Sequence, residues 1–371
     1  MRDTLFKDIE AAPSGYSSVQ LDRDALILLL GELNAQDDIA ELRDKTANLK
    51  RTMNSHDRAA LTDTNSNGNI VSLRRDVLTS ELDQIMGART IERAKYYIKR
   101  LERGVKKVKT SKLNDINLNR WQEHTDIITD SLWVLRKRDT AGAHLASYWG
   151  NFIPQIPHQL MLRYTKKGDW VLDPFVGSGT TLIECRRLGR NGIGIELNAK
   201  VTRGAEELVQ QEGNRHSIRT KIITGDARTI NARGVLENLG VKQVQLLVMH
   251  PPYHNIISFS DDHADLSNAK STNEFLKMFG EALDNIDPVL ERGRYFALVI
   301  GDKYSKGEWI PLGFYCMGEV LKRGYSLKSI VVKNFEETRA KRDRKQLWRY
   351  RALVGGFYIF KHEYIFIFKK K

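Results

Sequence analysis

The chain has 371 residues, 41% apolar and 28% charged, with a formal net charge of +13. That size carries one large α/β domain plus an accessory piece, and the balance excludes a disordered or fibrous chain. Two cysteines exclude a disulfide framework, and no apolar run reaches the ~18 residues of a membrane-spanning helix.

Taken in chain order, "MRDTLFKDIEAAP" carries no apolar signal region, so a cytoplasmic protein is expected. Residues 1–115 read as a helical accessory region. "ALILLLGELNAQDDIAELRDKTANLKRTM" and "DVLTSELDQIMGARTIERAKYYIKRLERGVKK" both space apolar residues at helical intervals among many charges. The polar "NSHDRAALTDTNSNGNI" between them reads as a linker, and no fixed-period repeat is evident. In the second helical stretch Lys95, Lys99, Arg100, Arg103, Lys106, Lys107, Lys109 and Lys112 oppose only Glu102. Later, Lys333, Arg339, Lys341, Arg342, Arg344, Lys345, Arg349 and Arg351 outnumber Glu336, Glu337 and Asp343. Two such clusters point to phosphates, and hence to a nucleic-acid partner.

From residue 116 to 371 the pattern is α/β. Strands are predicted at "DWVLDPF", "NGIGIEL", "KIITGDA", "VQLLVMHPPY", "RYFALVIGDKY", "YSLKSIVVKN" and "HEYIFIFKKK". Helices are predicted at "TLIECRRLG" and "FYCMGEVLKRG", and strand–helix alternation argues for a mostly parallel sheet covered on both faces. The last two strands lack a helix-length apolar pattern between them, so an antiparallel pair is expected there.

The chemistry gathers at the carboxyl ends of these strands, where open α/β sheets bind ligands. "VLDPFVGSGTT" places Asp173, then Gly177 and Gly179, directly after a strand, so the backbone turns tightly and lets a ligand approach. The turn lacks the Gly-Lys-Ser/Thr ending of a P-loop, which argues against an NTPase. Glu196 ends the next strand, where an acid can accept hydrogen bonds from both ribose hydroxyls of a nucleoside. Asp226 ends the third and could meet an adenine amino group. His250-Pro251-Pro252-Tyr253 ends the fourth: two prolines fix the torsions, and the tyrosine offers a flat face to an extruded base.

The run "DPFVGSGTT … GIGIE … TGDA … HPPY … HEYIFIF" resembles the S-adenosylmethionine-dependent DNA methyltransferases that modify the exocyclic amino group of adenine (N6) or cytosine (N4). The resemblance covers residues 148–371 and implies a Rossmann-like methyltransferase fold: a mostly parallel seven-stranded sheet with an antiparallel final strand. It implies that Asp173, Pro174, Phe175, Gly177, Ser178, Gly179 and Thr180 wrap the cofactor's methionyl part. Glu196 would hold its ribose and Asp226 its adenine. "NFIPQIPHQL", with Asn151 and Pro154, would contact the cofactor from the other side. DNA is then the expected partner and restriction-modification the expected setting, with no metal and no membrane. The oligomeric state stays open, a homodimer included.

His250 departs from the family's usual Asp, Asn or Ser at that place. A neutral imidazole still offers one acceptor nitrogen, whereas a protonated one does not. The mechanism implied is direct in-line methyl transfer to a flipped-out base. Base-amino methylation of RNA and an inactive DNA-binding relative are the alternatives, and a nicotinamide dehydrogenase has no use for the tetrapeptide.

Overall fold

The computed structural model describes residues 17–54, 69–145, 150–334 and 345–371. They divide into two compact units, one built from the described residues of 17–112 and 116–126, the other from those of 113–115 and 127–371.

The first unit is not purely helical. β1 (Ser18–Asp22) leads into α1 (Arg23–Asn34) and α2 (Ile39–Asn54). β2 (Ile70–Arg74), α3 (Arg75–Met86) and α4 (Ile91–Lys106) then repeat the order. A shift of 52 positions carries every element of the first half onto its counterpart in the second (18 to 70, 23 to 75, 39 to 91). The hydrogen bonds shift with them: Arg23 N donates to Asn69 O at 2.9 Å, and Arg75 N to Ser17 O at 3.0 Å. The expectation of no internal repeat is therefore corrected. Each long helical stretch is split by a short turn, and a five-residue strand precedes each pair of helices.

β1 and β2 pair antiparallel, with Gln20 opposite Ser72 and Val19 opposite Leu73. Alternation sends Val19, Leu21, Val71 and Leu73 inward onto Leu26, Leu30, Leu78, Leu82 and Ile98. The Asp22 carboxylate caps α1 by accepting from Ala25 N at 2.8 Å, and Thr90 caps α4 through Arg93 N.

The second unit holds an eight-stranded sheet. Its strands are β3 (Leu132–Trp133), β4 (Trp170–Asp173), β5 (Asn191–Glu196), β6 (Thr220–Thr224), β7 (Val244–Met249), β8 (Leu290–Ile300), β11 (Ser326–Asn334) and β12 (His362–Lys369). Their spatial order is β3-β11-β12-β8-β7-β4-β5-β6. β12 runs antiparallel to both β11 and β8, and the β4, β5, β6, β7 and β8 pairings are parallel. This is the Rossmann-like arrangement expected, with one difference. The two-residue β3 adds an eighth strand on β11, too short to carry its own pattern in the sequence.

A small hairpin, β9 (Lys303–Ser305) with β10 (Glu308–Ile310), stands apart from this sheet. A helix, α11 (Lys345–Gly355), does lie between β11 and β12, although no helix was expected there. The second unit's other helices are α5 (Gln155–Tyr164), α6 (Thr180–Leu188), α7 (Ala199–Gln211), α8 (Ala232–Asn238), α9 (Thr272–Ile286) and α10 (Leu312–Lys322). Phe275 and Phe279 on α9, with Phe296, Phe366 and Phe368 on the sheet, are fully buried in its core. Each contributes about 1.5–3 kcal/mol by leaving water, which holds the strand ends in place for the site they carry.

Candidate active site

A cavity of about 700 Å³ opens at the carboxyl ends of β4, β5, β6 and β7. Its wall includes Asn151, Pro174, Phe175, Gly177, Glu196 and Asp226, together with all four residues His250, Pro251, Pro252 and Tyr253. Adjacent parallel strands bring their carboxyl ends together, so motifs up to 77 residues apart (173 to 250) meet here.

Asp173, Pro154, Ser178, Gly179 and Thr180 do not line the cavity. Asp173 is wholly buried, accepting from Thr181 Oγ1 at 2.5 Å and from Phe175 N at 3.1 Å, and burial pushes its carboxyl up to about 7. Gly179 begins α6 at φ +87°, where an added Cβ would lie 2.9 Å from Val209, so its missing side chain serves helix packing. Asn151 spans two turn residues, donating to Ser178 Oγ and accepting from Thr180 Oγ1, each at 2.7 Å. Pro154 stands just before α5.

Gly177 has φ +50°, and its N–H donates to Glu196 Oε2 at 3.1 Å while Asn198 N donates to Oε1 at 2.9 Å. Each oxygen keeps a lone pair for a diol. Burial raises the Glu196 carboxyl above its ordinary range, against those backbone bonds. Asp226 is more committed than the sequence suggested. Arg228 grips it through Nε and Nη2, at 3.0 and 2.8 Å to Oδ2, and through its own backbone N at 2.9 Å to Oδ1.

Two participants were missed in the sequence. Tyr253 Oη donates to Glu363 Oε2 at 2.9 Å, and Lys333 Nζ donates to Glu363 Oε1 at 2.8 Å. Lys333 is 5% exposed and bound in this pair, so its place in a phosphate-contacting surface is corrected. Arg349 and Arg351 of that cluster are exposed on α11, whereas Arg339, Lys341, Arg342, Arg344 and the side chain of Lys345 lie outside the described residues. The available signal was an acid and a lysine inside the apolar strands "HEYIFIF" and "SIVVKN"; charges there need partners.

His250 Nε2 lies 3.1 Å from Tyr253 Oη, with the two rings edge-on at 88°. The tyrosine proton points to Glu363, so the hydroxyl accepts from His250, and Nε2 carries the imidazole hydrogen. Nδ1 is then the lone-pair nitrogen. Burial lowers the His250 pKa to about 4, with Glu363 opposing and Lys333 assisting. The phenol of Tyr253 is pushed well above 10 by burial and by the Glu363 carboxylate, and keeps its proton.

Residues 47–207 match a family described as DNA methylase. Over 63 residues the chain is 43% identical to a type II methyltransferase, M.MjaII, of Methanocaldococcus jannaschii, covering 17% of this chain and 12% of that one. It is 39% identical over 85 residues to the type II methyltransferase M.XycI of Xanthomonas campestris pv. cyanopsidis, covering 23% and 27%. A tRNA (guanine(10)-N2)-dimethyltransferase of M. jannaschii is 31% identical over 116 residues, covering 30% and 31%. The chain thus spans less than a third of the length of each of these relatives.

Proposed function

We propose that this chain, a relative of the DNA amino-methyltransferase family, transfers a methyl group from S-adenosylmethionine to the exocyclic amino group of adenine or cytosine in DNA. The observation that carries the reading is one cavity joining a glycine turn and a strand-end acid to a rigid His-Pro-Pro-Tyr corner. The residues present fit the cofactor: Gly177 leaves its backbone open at positive φ, and Glu196 keeps acceptor capacity for a ribose. Asp226, already gripped by Arg228, is left with little capacity for an adenine amino group. When bound, S-adenosylmethionine supplies an activated sulfonium methyl.

The chain's own residues then prepare the nucleophile. An exocyclic amino group is weak because its lone pair is delocalised into the ring. A hydrogen bond to His250 Nδ1, and a second to the Pro251 carbonyl, would localise that lone pair and aim it at the methyl. Alignment of this kind supplies several kcal/mol of barrier reduction. Tyr253 supplies an aromatic wall for the extruded base, a contact of about 1–3 kcal/mol. No metal and no covalent enzyme intermediate are needed.

Incubation with tritiated S-adenosylmethionine and either duplex DNA or structured RNA tests the reading. Label is expected in DNA, released with N6-methyladenine or N4-methylcytosine on digestion; label in neither polymer overturns it. The likeness to a tRNA amino-methylating enzyme favours one second reading, the same chemistry on RNA. Label in RNA alone would establish that instead.

Phosphate contacts are proposed for α4 and the segment after it. Lys99, Arg103, Lys106, Lys107, Lys109 and Lys112 are exposed, Lys106 pairing with Glu102 on the same helix, whereas Arg100 is held by the buried Glu81 at 2.7 Å and Lys95 by Asp37 at 2.9 Å. Replacing the six exposed cations by glutamine is expected to weaken DNA binding equally for all sequences. The salt slope should flatten by about 0.9 for each phosphate that is no longer neutralised. An unchanged slope would make them ordinary solvated charges.

A further inference from the structure

We infer that the β1–β2 ribbon of the first unit is a sequence-reading element whose outer face enters the major groove of duplex DNA. The inference rests on the DNA reading above, but its observations lie wholly in the other unit.

The duplication makes the ribbon a two-fold object. Gln20 and Ser72, which exchange places under the 52-residue shift, face each other at its centre, with Val19–Leu73 and Leu21–Val71 on either side. The inner face is fixed by burial: those four apolar residues belong to the core beneath the helices, and a one-residue slip would turn all of them to solvent. What is left outside is Ser18, Gln20, Ile70 and Ser72, all exposed. Gln20 Nε2 donates to Ser72 Oγ at 3.1 Å on this open face, so the two side chains already converge at the centre.

That face has the right size and chemistry for a base-pair edge. A major groove about 12 Å wide admits a two-stranded ribbon, and Gln can pair bidentately with adenine while Ser bonds to any base. Ile70, 55% exposed, offers an apolar contact of the kind a thymine methyl takes. Five-residue strands run roughly 17 Å, the rise of about five base pairs. The site read is therefore short. Because Gln20 faces one half of it and Ser72 the other, it is not a perfect palindrome.

The charge lies on one side of this object. Arg120 donates to the backbone oxygen of Ser72, Asn119 Nδ2 to Lys107 O at 2.8 Å, and Leu118 N to Lys109 O at 2.7 Å. The cationic segment after α4 is thereby braced against the edge of β2, beside the groove-facing residues. The first repeat carries less of this charge: the counterparts of Lys99 and Lys106 are Ala47 and Asn54, although that of Arg103 is Arg51. The heavier cationic charge lies with the second repeat, which suits a protein that approaches an asymmetric duplex in one orientation.

The test uses the full chain and a pool of DNA duplexes with randomised centres, captured at near-physiological salt beside a pool of randomised RNA stems. Wild type is expected to enrich one short motif in DNA. In the Gln20→Ala/Ser72→Ala double variant, the preference for that motif over a scrambled duplex should fall roughly ten- to a hundred-fold. Affinity for the scrambled duplex, S-adenosylmethionine binding and the thermal midpoint should stay unchanged, since both side chains are exposed. Recovery of the same motif with the same preference, enrichment of RNA alone, or retention of no duplex by wild type each overturns the ribbon. Methyl incorporation into the enriched duplex separates the two readings. Tight specific binding without methylation removes the proposed reaction and keeps the ribbon, whereas methylation indifferent to the double variant removes the ribbon and keeps the reaction.

Discussion

Gly177→Val should abolish binding of S-adenosylmethionine, lowering affinity at least about a hundred-fold while leaving the first unit folded. Gly177 stands at φ +50°, a region that a β-branched residue enters only at a cost of about 1–3 kcal/mol. Its N–H also ties the turn to Glu196, so any relaxation of the torsion pulls the turn off that carboxylate. Gly177 itself belongs to the cavity wall, so a displaced turn deforms that wall. Strain and a broken Glu196 anchor act in the same direction. Isothermal titration calorimetry reads the effect, with Gln20→Ala as a control that changes a surface residue of the other unit. Wild-type affinity in Gly177→Val would remove the cofactor assignment.

The parallel sheet and the gathering of several strand-end residues at one cavity were legible because most strands are near-continuous apolar runs closed by a polar or glycine turn. Positions 173, 196, 226 and 250 stand at or just beyond the ends of such runs, and parallel topology brings those ends together whatever lies between. What escaped has physical reasons too. The repeat in the first unit survives as Val19-x-Leu21-x-Arg23-Asp24-x-Leu26 and Val71-x-Leu73-x-Arg75-Asp76-x-Leu78. Elsewhere a buried position accepts most apolar residues of suitable volume, so Leu33 has become Ile85 and Leu42 has become Ala94 without losing the fold. The turns that split the helices, Ala35–Asp38 and Gly87–Thr90, carry only one glycine and no proline between them, so helical periodicity ran through both. β3 is two residues long and exists only because β11 is beside it.

Glu363 was hidden differently. Its partners, Tyr253 and Lys333, are 110 and 30 residues away, so nothing local marks it as more than a charge in a strand. Yet its substitution has a sharp expected outcome. With the carboxylate, both oxygens accept: Oε1 from Lys333 and Oε2 from Tyr253. In Glu363→Gln the ammonium of Lys333 keeps the remaining oxygen, because Lys has no acceptor to offer the amide nitrogen. The amide then donates to Tyr253 Oη, the tyrosine turns its proton to His250 Nε2, and the imidazole hydrogen moves to Nδ1. The acceptor proposed for the target amino group is then gone, although no atom has moved by more than a proton. Single-turnover methyl transfer should fall about 10²–10⁴-fold, the scale on which a wrong histidine tautomer acts elsewhere. His250→Ala should fall comparably, and both variants should keep cofactor and DNA affinity. The pH profile adds a readout that a merely structural role would not move. Because the folded His250 pKa is near 4, below its ordinary 6.5, the neutral imidazole persists on acidification, and the wild-type rate should stay flat from neutrality to about pH 5 before declining. The same depression means that the unfolded chain binds a proton the folded one refuses. Its stability contribution is complete above pH 6.5 and is lost as pH falls toward 4. A wild-type rate that halves near pH 6.5, or a Glu363→Gln variant that turns over like wild type, would show that the relay from Lys333 to His250 does not set the acceptor.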